Sequence, residues 1–184
     1  MNLTYKKKRR IAWIVTFVIA ILSVFILGGW KLNRKCENVE DYFFNGKNGF
    51  SIANDIAVRV ECGYNLLTVS DRLSFDTDAV DELRSALTDT QNALTVREYY
   101  KANEALTFAF DTLYTQISQS AADESVKRLA AKQADEFSSR LKTIQKDPYN
   151  EKALAFNEEL NYFPANIIAF LSGTDHVDLF RNGG

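Results

Sequence analysis

Twenty consecutive positions, residues 11–30 (IAWIVTFVIAILSVFILGGW), carry no charge, and Lys6, Lys7, Lys8, Arg9 and Arg10 stand directly before them. A helix rising about 1.5 Å per residue covers roughly 30 Å in that run, the thickness of a bilayer's hydrocarbon core. The run therefore predicts one transmembrane helix at 11–30 behind a basic tail at 1–10. A cleaved signal peptide is the rival reading. Its apolar region is about 7 to 15 residues long and ends in a small-x-small site, whereas this run is longer and closes on Ile26, Leu27, Gly28, Gly29 and Trp30. Trp13 and Trp30, near the two ends, suit the headgroup level. Five basic residues precede the run and three follow it (Lys31, Arg34 and Lys35), which favours a cytoplasmic N-terminus and an extracytoplasmic body in a single-pass protein of the cell membrane. The lipid bilayer is then the first partner. Cys36 and Cys62, the only cysteines, suit a disulfide if the body lies outside, and the sequence leaves their pairing open.

The net charge of −2 hides an asymmetry. Eight of the 22 basic residues lie in the first 35 positions and all 24 acidic residues lie at or after Glu37, so residues 36–184 carry 14 basic against 24 acidic side chains, a net −10. A body this acidic repels phosphate backbones and argues against nucleic-acid binding. The basic N-terminal cluster is explained by topology and anionic headgroups.

The rest of the chain suits one domain. Residues 31–51, with Asn45, Gly46, Lys47, Asn48 and Gly49, read as a juxtamembrane linker and turn. Residues 52–172 read as helical, with Gly63 and Pro148 as breakers before Pro164. Ile56, Val60, Leu67 and Tyr64 are expected on one stripe; Val80, Leu83, Leu87 and Leu94 on a second. Thr95 and Glu98 have capping-box spacing, and the next stripe is Tyr99, Ala102, Leu106, Ala109, Phe110, Leu113 and Ile117. Val126, Leu129, Ala134, Phe137, Leu141 and Ile144 form another. Asp147 is placed to cap a helix with Pro148 in its first turn. Tyr149, Ala153, Phe156, Leu160 and Phe163 then recur at steps of four, three, four and three. Helices wet on one side must bury their stripes together. The expected fold is all-α, an elongated antiparallel bundle of about four helices, each about 25 to 40 residues long, behind the transmembrane helix. Residues 165–171, too short to span a bilayer, are expected to pack on the bundle rather than form an interfacial foot. Residues 173–184 read as a flexible tail.

Tyr149-Asn150, Phe156-Asn157 and Phe163-Pro164-Ala165-Asn166 together resemble the C-terminal signature of the LemA family. Ile56, Val58, Val60, Tyr64, Leu66 and Leu67 fall where that family has similar residues, so the resemblance covers most of 50–172. Thr68-Val69-Ser70 stands where the family usually reads Pro-Asn-Leu, and Gly63 where a basic residue is common, marking a divergent member. The resemblance implies an all-helical, membrane-attached bacterial protein.

Tyr149, Phe156 and Phe163 are expected in the core. Asn150, Asn157 and Asn166, amides that need partners when buried, are expected to bond the chain reversal after Phe163 to the adjoining helix. The competing role for this signature is a face for a partner protein.

Catalytic signals are sparse. His176 is the only histidine, so Ser-His-Asp, Cys-His and multi-histidine arrangements have no basis in the bundle. No CxxC, glycine-rich phosphate loop or GxSxG elbow occurs. Asp76, Asp78, Asp81 and Glu82 lack the glycine and terminal glutamate of an EF-hand, and the Glu-x-x-His pairs of di-iron bundles are missing. No catalytic residue, metal or cofactor is expected. The leading expectation is a non-enzymatic interaction or assembly module working with a membrane or envelope protein, homo-oligomerisation left open. The alternative is a membrane-attached sensor or ligand-binding accessory subunit.

Overall fold

The computed structural model describes residues 5–46, 50–75 and 77–181, with side chains from Lys7 onward. Lys47, Asn48 and Gly49 of the expected turn, Asp76 of the acidic cluster and residues 182–184 of the expected tail lie outside the described residues. The protein is all-helical among those described: α1 (Tyr5–Phe44), α2 (Ile52–Arg72), α3 (Asp78–Asn92), α4 (Val96–Gln119), α5 (Glu124–Gln145), α6 (Tyr149–Leu160) and α7 (Ala165–Ser172). They fall into two compact units, one drawn from Met1–Val39 and Leu154–Val177, the other from Glu40–Ala153 and Asp178–Gly184.

α1 contains a run long and apolar enough to cross a membrane, none of it buried. Trp13, Phe17, Ile26 and Leu27 are all more than 60 % exposed. The helix does not stop at residue 30: it continues through the expected linker to Phe44. Residues 31–44 contain neither Gly nor Pro, and Leu32, Val39 and Phe43 are buried on one helical face, so nothing ends the helix before Asn45.

In the second unit α2 packs on α5, α3 on α4, and one core draws on all four helices. Leu66, Leu83, Leu87, Leu106, Phe110, Leu113 and Ile117 are sealed from solvent. These helices have 15 to 24 residues, shorter than expected, because turns break the stripes, with side-chain caps at the starts of α2 and α4. Ser51 opens α2, its Oγ accepting the Asn54 N–H at 3.1 Å. Thr95 and Glu98 form the anticipated capping box. Asp147 accepts the Tyr149 N–H at 2.8 Å, as its position before Pro148 implied.

Two stripes need correction. The buried face of α2 includes Ile52, Ile56, Arg59, Cys62, Gly63, Leu66 and Leu67, so Ile56 and Leu67 of the expected stripe are buried, Val60 is half-buried and Tyr64 lies 43 % exposed. Gly63 breaks nothing: it sits in mid-helix, where Leu87 packs against its bare Cα. Leu94 is 82 % exposed because α3 ends at Asn92, before the stripe reaches it.

Candidate functional site

The C-terminal signature divides into two groups. In the second unit, Asn150 grips both backbone groups of a single residue: its Oδ1 accepts the Phe180 N–H at 2.8 Å and its amide donates to the Phe180 carbonyl at 3.0 Å. Tyr149, fully buried, donates its hydroxyl to the Asp178 carbonyl at 2.6 Å. Phe180 packs tilted against Phe43, 5.6 Å between centroids, and edge-on to Tyr100 at 5.4 Å. Arg97 holds the Asp178 carboxylate at 2.7 Å. In the first unit, Asn157 repeats the same grip on Val177, at 2.8 and 2.9 Å, beside buried Phe156. Seven residues of helix and three extended residues both measure about 10 Å, so the amide spacing in the sequence suits paired grips of this kind. Val177 and Phe180 are buried, which corrects the flexible-tail expectation: Gly, Asp and Asn suggested looseness, but two amides replace the backbone partners that a loose tail would take from water.

Phe163, Pro164 and Asn166 lie outside this arrangement. Phe163 is 80 % exposed, against the expectation of core, because α6 ends at Leu160 and the four-three repeat loses its helix there. The Phe163–Pro164 peptide is cis. Asn166 does not bond the chain reversal to a neighbouring helix; its Oδ1 accepts the Ile167 N–H at the start of α7. The two amides that do act as clasps take the tail, not an adjoining helix, as partner.

Arg59 is the residue that sequence reasoning missed. It is fully buried on α2. Its guanidinium lies 3.9 Å from the ring centroid of Phe137, which stacks on Phe110 at 3.8 Å and 5°. It donates to the Asn103 Oδ1 and, at 2.7 Å, to the Thr107 hydroxyl, while its Nε–H has no partner among the described residues. Burial pulls its pKa down to about 10, with Asp111 and Glu104 offsetting part of the effect, so it stays charged at neutral pH. Burial likewise pushes up the Asp111 carboxyl and the free thiol of Cys62. The signal was the i, i+3, i+4 spacing of Ile52, Ile56, Arg59 and Gly63, which puts position 59 on the inner face whatever its charge. Beside it, Arg140 of α5 bridges Asp55 of α2 at 3.2 Å and Glu136 at 2.6 Å.

On the outside of the same unit, an open groove runs between α3 and α4. Its floor is small and apolar (Ala86, Ala105 and Ala109), Phe108 stands in it 70 % exposed, and Glu82, Asp89 and Glu98 edge it together with the cation Lys101. Residues 78–119 carry seven acidic against three basic side chains.

Among the described residues no group of three or more His, Cys, Asp or Glu is placed to hold a metal ion. His176 is exposed. The arrangement buries, clasps and presents surface. Comparisons with protein-family models, with curated proteins and with solved structures find no match to this chain.

Proposed function

We propose that this is a divergent LemA-like membrane protein whose helical body works as a non-enzymatic interaction module. In this reading residues 11–30 of α1 cross the cell membrane once, the N-terminus is cytoplasmic and the body extracytoplasmic. Helices α2 to α5 form the antiparallel bundle that presents the contact surface. The groove between α3 and α4 carries the reading. Its apolar floor and acidic rim fit an amphipathic helix whose apolar stripe is flanked by Lys or Arg, supplied by a membrane or envelope protein. The clasped tail and buried Arg59 give the surface a fixed scaffold.

The test replaces Phe108 with a photo-crosslinking phenylalanine analogue in the full-length protein within its native membrane. The expected result is an adduct with one membrane protein, abolished by Glu82→Lys combined with Asp89→Lys and competed away by a basic amphipathic peptide. An adduct indifferent to both, or none, overturns the reading.

A further inference from the structure

We infer that α7, together with Tyr162 and Phe163, is a second membrane contact: an interfacial foot that lies in the boundary between headgroups and acyl chains beside the end of the uncharged run of α1. The inference rests on the reading of α1 as a membrane span.

The first observation is sequence composition. Residues 160–174 carry no charge over 15 positions, bounded by Glu159 and Asp175. The second is where the first unit places them. Ile168 and Ala169, on the inner side of α7, are buried. Ile168 comes so close to Gly28 that a Cβ there would stand 2.8 Å from its Cδ1, and one on Gly29 would stand 2.9 Å from the Ser172 Cβ. A Cβ at either position would force α7 or its side chains to shift. Gly28 and Gly29 are the last residues before Trp30 in the uncharged run, so α7 sits at the level where the span leaves the hydrocarbon.

The third observation is what faces away. Ile167, Phe170 and Leu171, at i, i+3 and i+4 on one helical face, are 41, 85 and 62 % exposed, and Tyr162 and Phe163 are 70 and 80 % exposed. This face is continuous in character with Ile26, Leu27 and Trp30 of α1, themselves 70, 64 and 66 % exposed at the same level. Tyr162, an aromatic with a hydroxyl, has the chemistry of the interfacial belt. Lys31, Arg34 and Lys35 follow Trp30 at headgroup height, the Arg34 guanidinium 5.7 Å from the Trp30 ring. A protein partner would need an uncharged apolar surface already immersed at that depth. Lipid supplies it without a partner, and the absence of any charged rim on α7 matches acyl chains. The foot turns a single-point anchor into a two-point one and fixes how α1 is rotated in the bilayer.

The experiment uses full-length protein in phosphatidylcholine and phosphatidylglycerol vesicles. Trp13→Phe with Trp30→Phe removes both native tryptophans. Phe17→Trp then reports on the span and Phe170→Trp on the foot, each aromatic-for-aromatic at an exposed position. Quenching is read with lipids brominated high on the chain, with lipids brominated near its end, and with aqueous acrylamide. The expected result is blue-shifted emission at both positions, position 17 quenched best by deep bromine and position 170 by shallow bromine, with acrylamide ineffective. Position 17 quenched by bromine while position 170 answers only to acrylamide refutes the foot and leaves the anchor standing. Position 170 shielded from both quenchers means that protein covers the face and also refutes it. Position 17 untouched by bromine refutes the anchor, and the foot with it.

Discussion

Arg59 shows how a residue that looks wrong for its place can organise a core. A cation taken out of water is costly unless its donors are met, and here aromatic faces and neutral oxygens stand in for a carboxylate. Asn103 is itself 1 % exposed, so the two residues depend on each other. Arg59→Met keeps the volume but orphans the Asn103 oxygen and should cost about 1 to 3 kcal/mol in urea denaturation. Asn103→Leu, which leaves the cation with one fewer partner, should cost more, about 3 to 5 kcal/mol. The double substitution should recover most of the loss; a double that is simply the sum of the two singles contradicts the coupling. The clasping amides make a more local prediction. Asn157→Ala and Asn150→Ala should each cost about 1 to 2 kcal/mol. They should speed hydrogen exchange at the Val177 and Phe180 amides respectively. Unchanged exchange would show that the clasps do not hold the tail. The sequence made the need for partners legible, since amides on a helix with buried neighbours must bond to something. It did not reveal which partner, because a tail of mixed polarity gives no periodic sign of being held.

At the scale of elements, stripes were readable and ends were harder. The capping box at Thr95 and Glu98 and the Asp147-Pro148 start could be read because each is a local chemical device within four residues. The continuation of α1 to Phe44 could not be read from the turn signals at Asn45 and Gly46, which mark where the helix stops and not where it begins to tire. The four-three repeat points Phe163 to the core only if the helix runs past Leu160, where α6 ends. The capping box also yields a pH prediction. The N–H groups of Leu94 and Thr95 hold the Glu98 carboxyl below its ordinary 4.5. A group whose folded pKa is lowered contributes stability above its unfolded value and loses it as the pH falls through the folded one. Glu98→Gln should therefore weaken the fold at neutral pH and cease to matter in acid below that window, as followed by circular dichroism. Thr95→Ala, by contrast, should cost about 1 kcal/mol at either pH. A Glu98→Gln penalty that persists unchanged in acid contradicts this assignment.

For the whole molecule, the informative pattern is the separation of an uncharged run from an acidic body, visible in the sequence without any structure. Composition set the helical class because Gly and Pro are scarce and apolar residues recur at helical steps. Which faces meet depended on side-chain volume, as with Leu87 against Gly63, and such fits have no signature in a single chain. In the proposed function α1 holds the acidic helical body on a membrane. Alkaline carbonate washing of membranes containing the full-length chain tests it most directly. The predicted result is that the protein stays with the pellet, while Phe17→Lys combined with Ile21→Lys, two exposed positions in the run, moves it to the supernatant. Release of the unaltered protein by carbonate would contradict the claim.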